Sequence, residues 1–92
     1  MPTIHLIVSG KVQGVFFRAT AKDVADEIGI TGWVKNAEDG NVEAMAKGTQ
    51  EQLQKFIDWC KKGPPKAVVT DVKIAPADEQ VFDQFNVIRK WV

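Results

Sequence analysis

Hydrophobic and polar positions alternate along residues 3–9, T-I-H-L-I-V-S, with Ile4, Leu6 and Val8 on one face and Thr3, His5, Ile7 and Ser9 on the other. Successive side chains of an extended chain point to opposite faces, so this run predicts a strand with one face buried. The period then changes. Ala21, Val24, Ala25 and Ile28 recur at i, i+3, i+4 and i+7, the stripe of an amphipathic helix, and Gly29 suits the left-handed position that ends one. Residues 30–36, I-T-G-W-V-K-N, predict a second strand. Asp39-Gly40 predicts a hairpin turn, and residues 41–47 a third strand with Val42, Ala44 and Ala46 facing one way. Helical period returns at Leu53, Phe56, Ile57 and Cys60. Thr49 and Gln52 have the spacing of a capping box at its start, and Gly63-Pro64-Pro65 stops it. Residues 67–75 predict a fourth strand with Val68, Thr70, Val72 and Ile74 on one side, residues 76–80 a loop, and residues 82–91 a last extended segment.

The order β-α-β-β-α-β, with a possible fifth strand at the end, predicts an α+β, ferredoxin-like sandwich: two helices covering one face of a four- to five-stranded antiparallel sheet. Residues 1–92 make a single domain. A right-handed crossover through the first helix makes strands one and two parallel, and in the split topology strand three inserts between them. The C-terminal ends of strands one and two then share one rim of the sheet. That rim receives the stretch G-K-V-Q-G-V-F-F-R at residues 10–18, which leaves strand one, and Asn36, which closes strand two.

The chemistry of that rim suits an anion. Successive peptide N–H groups in a Gly-containing turn can form a concave nest, and a helix start adds unsatisfied N–H groups and the positive end of a dipole. Arg18 presents a planar fork that can grip two phosphate oxygens with a charge that pH does not remove. Asn36 is neutral, and its carboxamide both accepts and donates, which suits orienting a water. Each piece has a plainer reading: Gly10 and Gly14 as turn residues, Arg18 as a surface side chain at a helix start, Asn36 as the residue leading into a hairpin.

Composition narrows the field. Twelve basic and twelve acidic residues give a formal net charge of zero, without the basic excess or stripe expected of a nucleic-acid binder. At 45% hydrophobic and 26% charged, the chain can bury a modest core and stay soluble. No apolar run approaches the ~20 residues of a membrane span, and no signal peptide precedes the first strand, so a cytoplasmic protein is expected. The single cysteine, Cys60, and the single histidine, His5, read as structural, and Trp33, Trp59 and Trp91 as packing residues. Neither a His/Cys cluster nor paired carboxylates accompany the loop, so neither a metal nor a cofactor is expected.

In order and spacing, the segments at residues 10–18, G-W-V-K-N at residues 32–36 and D-G-N-V-E at residues 39–43 resemble the acylphosphatase family. The likeness continues through the K-G-T that opens the second helix and the Gly63-Pro64 stop, and covers essentially the whole chain. The resemblance implies metal-independent hydrolysis of the carboxyl-phosphate bond of an acyl phosphate, releasing a carboxylate and inorganic phosphate. It assigns phosphate binding to the loop at Gln13, Gly14, Val15, Phe16, Phe17 and Arg18, and positioning of the attacking water to Asn36, with Arg18 and Asn36 as the catalytic pair. Family members commonly close on a tyrosine, whereas this chain has Trp91 and no tyrosine, a departure that touches the last strand rather than the site. A monomer acting on a small molecule is expected. Other hosts of the same fold are RNA-reading modules, regulatory ligand-binding domains and acylphosphatase-like domains inside larger maturation enzymes.

Overall fold

Leu6, Val8, Val34, Val42, Ala44 and Ala46, the apolar members of the alternating runs, are each at most 2% exposed. They meet the buried stripe of the first helix, Phe17, Ala21 and Ala25, and that of the second, Leu53, Phe56 and Cys60. Each such side chain removed from water contributes roughly 1.5–3 kcal/mol when large, so this single layer between helices and sheet holds the molecule together. The computed structural model describes residues 1–89. Its elements are β1 (Thr3–Lys11), α1 (Phe17–Ile28), β2 (Thr31–Asn36), β3 (Val42–Lys47), α2 (Gln50–Lys62), β4 (Val68–Pro76) and β5 (Phe85–Ile88). Among the described residues, no helix is long and apolar enough to cross a membrane. The expectations for Trp91 and for the far end of the last segment lie outside the described residues.

Local chemistry explains the helix ends. The Thr49 hydroxyl accepts from the Gln52 N–H (3.1 Å) while the Gln52 side chain accepts from the Thr49 N–H (2.8 Å), the reciprocal capping box. Gln52 also donates to the Ile28 carbonyl (3.1 Å), so the start of α2 covers a carbonyl left free at the end of α1. Gly29 closes α1 in the left-handed conformation, its N–H donating to the Ala25 carbonyl.

The strand order is β4-β1-β3-β2-β5. β3 lies between β1 and β2 and is antiparallel to both, so β1 and β2 run parallel and end on the same rim, as the split topology requires. The sheet is mixed rather than wholly antiparallel, because β5 pairs parallel to β2. The cause lies in residues 77–84, which pass beneath the sheet from one edge to the other. Along this path Ala77 N–H donates to the Thr3 carbonyl (2.9 Å), Lys47 Nζ to the Gln80 carbonyl (2.6 Å) and Gly32 N–H to the Gln84 carbonyl (3.1 Å). Crossing four strand spacings needs about 19 Å, within the roughly 26 Å reach of such a segment, and the chain then turns upward alongside β2.

A second difference concerns β4. The pairing with β1 slips between Ser9 and Gly10, so that Thr70 is left without an opposite partner. This bulge reverses the alternation beyond it. Val69 and Val72 pack against the core, whereas Val68, expected on the same side as Val72, is 58% exposed. On the sheet face away from the helices, Glu43 of β3 links β1 to β2 through His5 Nε2 (2.5 Å) and Lys35 Nζ (3.5 Å), which gives His5 a structural place.

Gly32 in β2 has φ 141°, and a Cβ there would overlap the backbone carbonyl of Met45 on β3. Gly32→Ala is therefore expected to destabilise the fold by at least about 2 kcal/mol, since backbone must move on both strands. A urea midpoint within error of the parent protein's would contradict this.

Candidate active site

Alternate anchoring shapes the loop between β1 and α1. Val12, Val15 and Phe17 are buried, at 1%, 4% and 2% exposure, and Phe17 packs on Trp59 with ring centroids 5.1 Å apart. Between these anchors the backbone reverses sign repeatedly: Gly14 has φ 73°, Val15 negative φ, and Phe16 φ 65°. Left-handed geometry is free for glycine but costs a side-chain-bearing residue about 1 kcal/mol or more. Phe16 bears that strain while 73% exposed as a residue, so packing does not explain it. Alternation of this kind turns neighbouring N–H groups toward a common point, the geometry of an anion nest.

The helix start adds to it. Phe16 caps α1 without any side-chain hydrogen bond, and the first turn carries no acidic residue. The first helical bond runs from Thr20 N–H to the Phe16 carbonyl (3.1 Å). Among the described residues, the peptide N–H groups of residues 13–19 donate to no backbone or side-chain acceptor. Into this already positive end projects Arg18, in the first turn of α1, where a cation opposes the helix dipole by about 0.3–1 kcal/mol. Its Nη1 rests 3.5 Å from the Ile88 carbonyl at the end of β5.

These groups border a cleft of about 290 Å³ on the rim where β1, β2 and β5 finish. Of the expected residues, Gly14, Phe16, Phe17, Arg18 and Asn36 line it. Gln13 and Val15 do not: Val15 points into the core, and Gln13 turns its side chain toward the β2–β3 hairpin. Both belong to the loop only through their peptide groups. Val12, Ala19 and Arg89 also line the cleft and were not foreseen. Arg89 follows β5, so only the direction of that strand could have placed it there. Among the described residues, neither Arg18 nor Arg89 has a carboxylate within ion-pairing distance. Two fixed cations thus face a cleft that, among the described residues, is lined by no acidic side chain.

Asn36 closes β2 opposite Val42 of β3. Its Oδ1 is buried and, among the described residues, has no hydrogen-bond partner. Burying an amide oxygen unpaired costs about 1–3 kcal/mol, so a carboxamide kept in this state at a cleft wall is one awaiting a donor. Cys60 offers no rival chemistry. Burial pushes its thiol up to about 12, which leaves no thiolate near neutral pH.

Comparison with known proteins places the whole chain in one family. The family model "Acylphosphatase" matches residues 4–87. An acylphosphatase of Gloeobacter violaceus is 45% identical over 85 residues, 92% of this chain and 91% of its own length. One of Methylococcus capsulatus is 43% identical over 90 residues, 97% of this chain and 98% of its own. The crystal structure of acylphosphatase from Bacillus subtilis superposes with a TM-score of 0.92 at 37% identity, covering 96% of this chain and 99% of that one. With the family model, the relatives and the solved fold matching along nearly its whole length, the chain belongs to the acylphosphatase family and hydrolyses acyl phosphates.

Proposed function

We propose that the phosphoryl group of the acyl phosphate sits in the nest of peptide N–H groups at residues 13–18, gripped by the Arg18 guanidinium, and that Asn36 orients the attacking water. The observation that carries this reading is the pairing, in one cleft, of an uncapped helix start bearing Arg18 with the buried, unpartnered Oδ1 of Asn36.

The reaction asks little more of the protein. Water attacks phosphorus, the bond between phosphorus and the acyl oxygen breaks with its electron pair going to that oxygen, and a carboxylate leaves. A carboxylate is stable as an anion, so no acid has to protonate it. The proton lost by the water passes to a phosphoryl oxygen, giving dihydrogen phosphate. Asn36 accepts a hydrogen bond from the water through Oδ1 and so aims its lone pair. Phosphoryl transfer depends chiefly on such positioning and on neutralising the equatorial oxygens. Arg18 and the loop amides supply both, and Arg89 adds positive potential at the wall of the cleft.

The proposed substrate is a small acyl phosphate and the product inorganic phosphate, with no metal, cofactor, nucleic acid or membrane involved. Residues 1–92 act as one acylphosphatase-like domain, a cytoplasmic monomer. An aryl acyl phosphate incubated with the protein and excess EDTA should be hydrolysed at the rate seen without chelator. Loss of activity on chelation, restored by a divalent cation, would replace the arginine-and-amide reading with a metal-assisted one.

A further inference from the structure

Gln13 lies in the phosphoryl-binding loop yet spends its side chain elsewhere. Its Nε2 donates to the Ala37 carbonyl (2.8 Å) and to the Asn41 carbonyl (2.9 Å). These two residues close the β2–β3 hairpin, where the Ala37 N–H donates to the same Asn41 carbonyl (2.9 Å). Asp39 fastens Asn41 from the turn, accepting from its N–H (3.0 Å) and from its Nδ2 (3.1 Å). Ala37 directly follows Asn36 in the chain. A single carboxamide therefore joins the loop to the residue beside the proposed water-holding side chain. Both of its hydrogens are used on backbone carbonyls, which leaves none to meet a ligand.

We infer that Gln13 is a positioning residue for hydrolysis. Its side chain clamps the phosphoryl cradle to the hairpin, and so sets the separation between the bound phosphorus and the Asn36 carboxamide. The inference rests on the roles proposed for Arg18 and Asn36. The clamp matters because the cradle and the water-holder sit on different elements, and attack in line with the leaving oxygen tolerates little drift. Misplacement by about 1 Å can cost on the order of a hundredfold in rate. A plainer role, two satisfied carbonyls and nothing more, would lower stability and leave turnover alone.

A kinetic double-mutant cycle separates these. Gln13→Leu, Asn36→Ala and the pair are assayed with an aryl acyl phosphate, with inorganic phosphate as competitive inhibitor and thermal unfolding as a check on the fold. Gln13→Leu is expected to lower kcat about tenfold or more while the phosphate inhibition constant stays within about threefold. In the Asn36→Ala background the same change should alter kcat by less than about twofold, because the partner it positions is gone. A folded Gln13→Leu with parental kcat, or losses that multiply in the pair, would overturn the inference. If Asn36→Ala alone keeps parental kcat, the water-orienting role falls and the clamp's purpose falls with it. A large loss there combined with multiplying effects removes the clamp alone. Gln13→Glu provides a second route should Gln13→Leu not fold. Its protonated carboxyl keeps one donor for the hairpin, whereas the ionised form opposes two carbonyls. Its kcat should therefore fall as that carboxyl ionises, in a step missing from the parent protein, and a profile parallel to the parent's would count against the clamp.

Discussion

Arg18→Ala is expected to remove about 10³-fold or more of kcat/KM and to weaken inorganic phosphate binding by more than about tenfold. In the proposed reading the guanidinium grips the phosphoryl group, with its charge and fork geometry acting together. Arg18→Lys keeps the charge and loses the fork, so it should recover only part of the loss. Stability should move the other way. Arg18 has one long contact, to the Ile88 carbonyl at 3.5 Å, and stands at the positive end of α1. Its removal relieves an unfavourable dipole interaction of about 0.3–1 kcal/mol and leaves the better helix former. Steady-state kinetics, phosphate titration calorimetry and thermal unfolding together decide the matter. A folded Arg18→Ala with ordinary turnover would end the proposed role.

Asn36→Ala should reduce kcat roughly a hundredfold or more, the scale of loss for a single group that orients a reactant, with phosphate affinity changed by less than about threefold. The split between the two quantities is the informative part. A neutral carboxamide that holds water contributes to the rate and little to anion binding. A collapse of phosphate affinity instead would make Asn36 an anion ligand. Here too the fold should not suffer. The variant deletes a buried oxygen that has no partner among the described residues, a group whose desolvation is uncompensated. Two substitutions that cut activity this far and leave the protein as stable as before, or more so, would mark both positions as kept for chemistry against the interest of folding.

The helices, the core stripe and the shared rim were legible because short-range patterns carry them. Ala21 and Ala25, or Leu53, Phe56 and Cys60, announce a helix face by spacing alone, and the capping box at Thr49 and Gln52 is written within one turn. The meeting of Arg18 and Asn36 followed from handedness and strand order, which act over a whole unit but obey few alternatives. What escaped depends on contacts between distant segments. Nothing local to residues 77–84 says that they run under three strand ends, yet that path makes β5 parallel to β2 and brings Arg89 to the cleft. The slip opposite Ser9 and Gly10 shifts the inward face of β4 from Val68 to Val69, a register decision made between two strands rather than within one. The side chain of Gln13 is a similar case. Its residue type suited the loop, but its two acceptors lie 24 and 28 positions away.

The carbonyl that steadies Arg18 comes from Ile88, on the strand that emerges from the ribosome after every other described element. The same strand places Phe85, fully buried, against Phe56 in the core, so the support for Arg18 is tied to the packing of the interior. One strand therefore serves two ends: β5 covers the row of backbone groups that β2 would otherwise leave open, and it lends Arg18 a carbonyl to lean on.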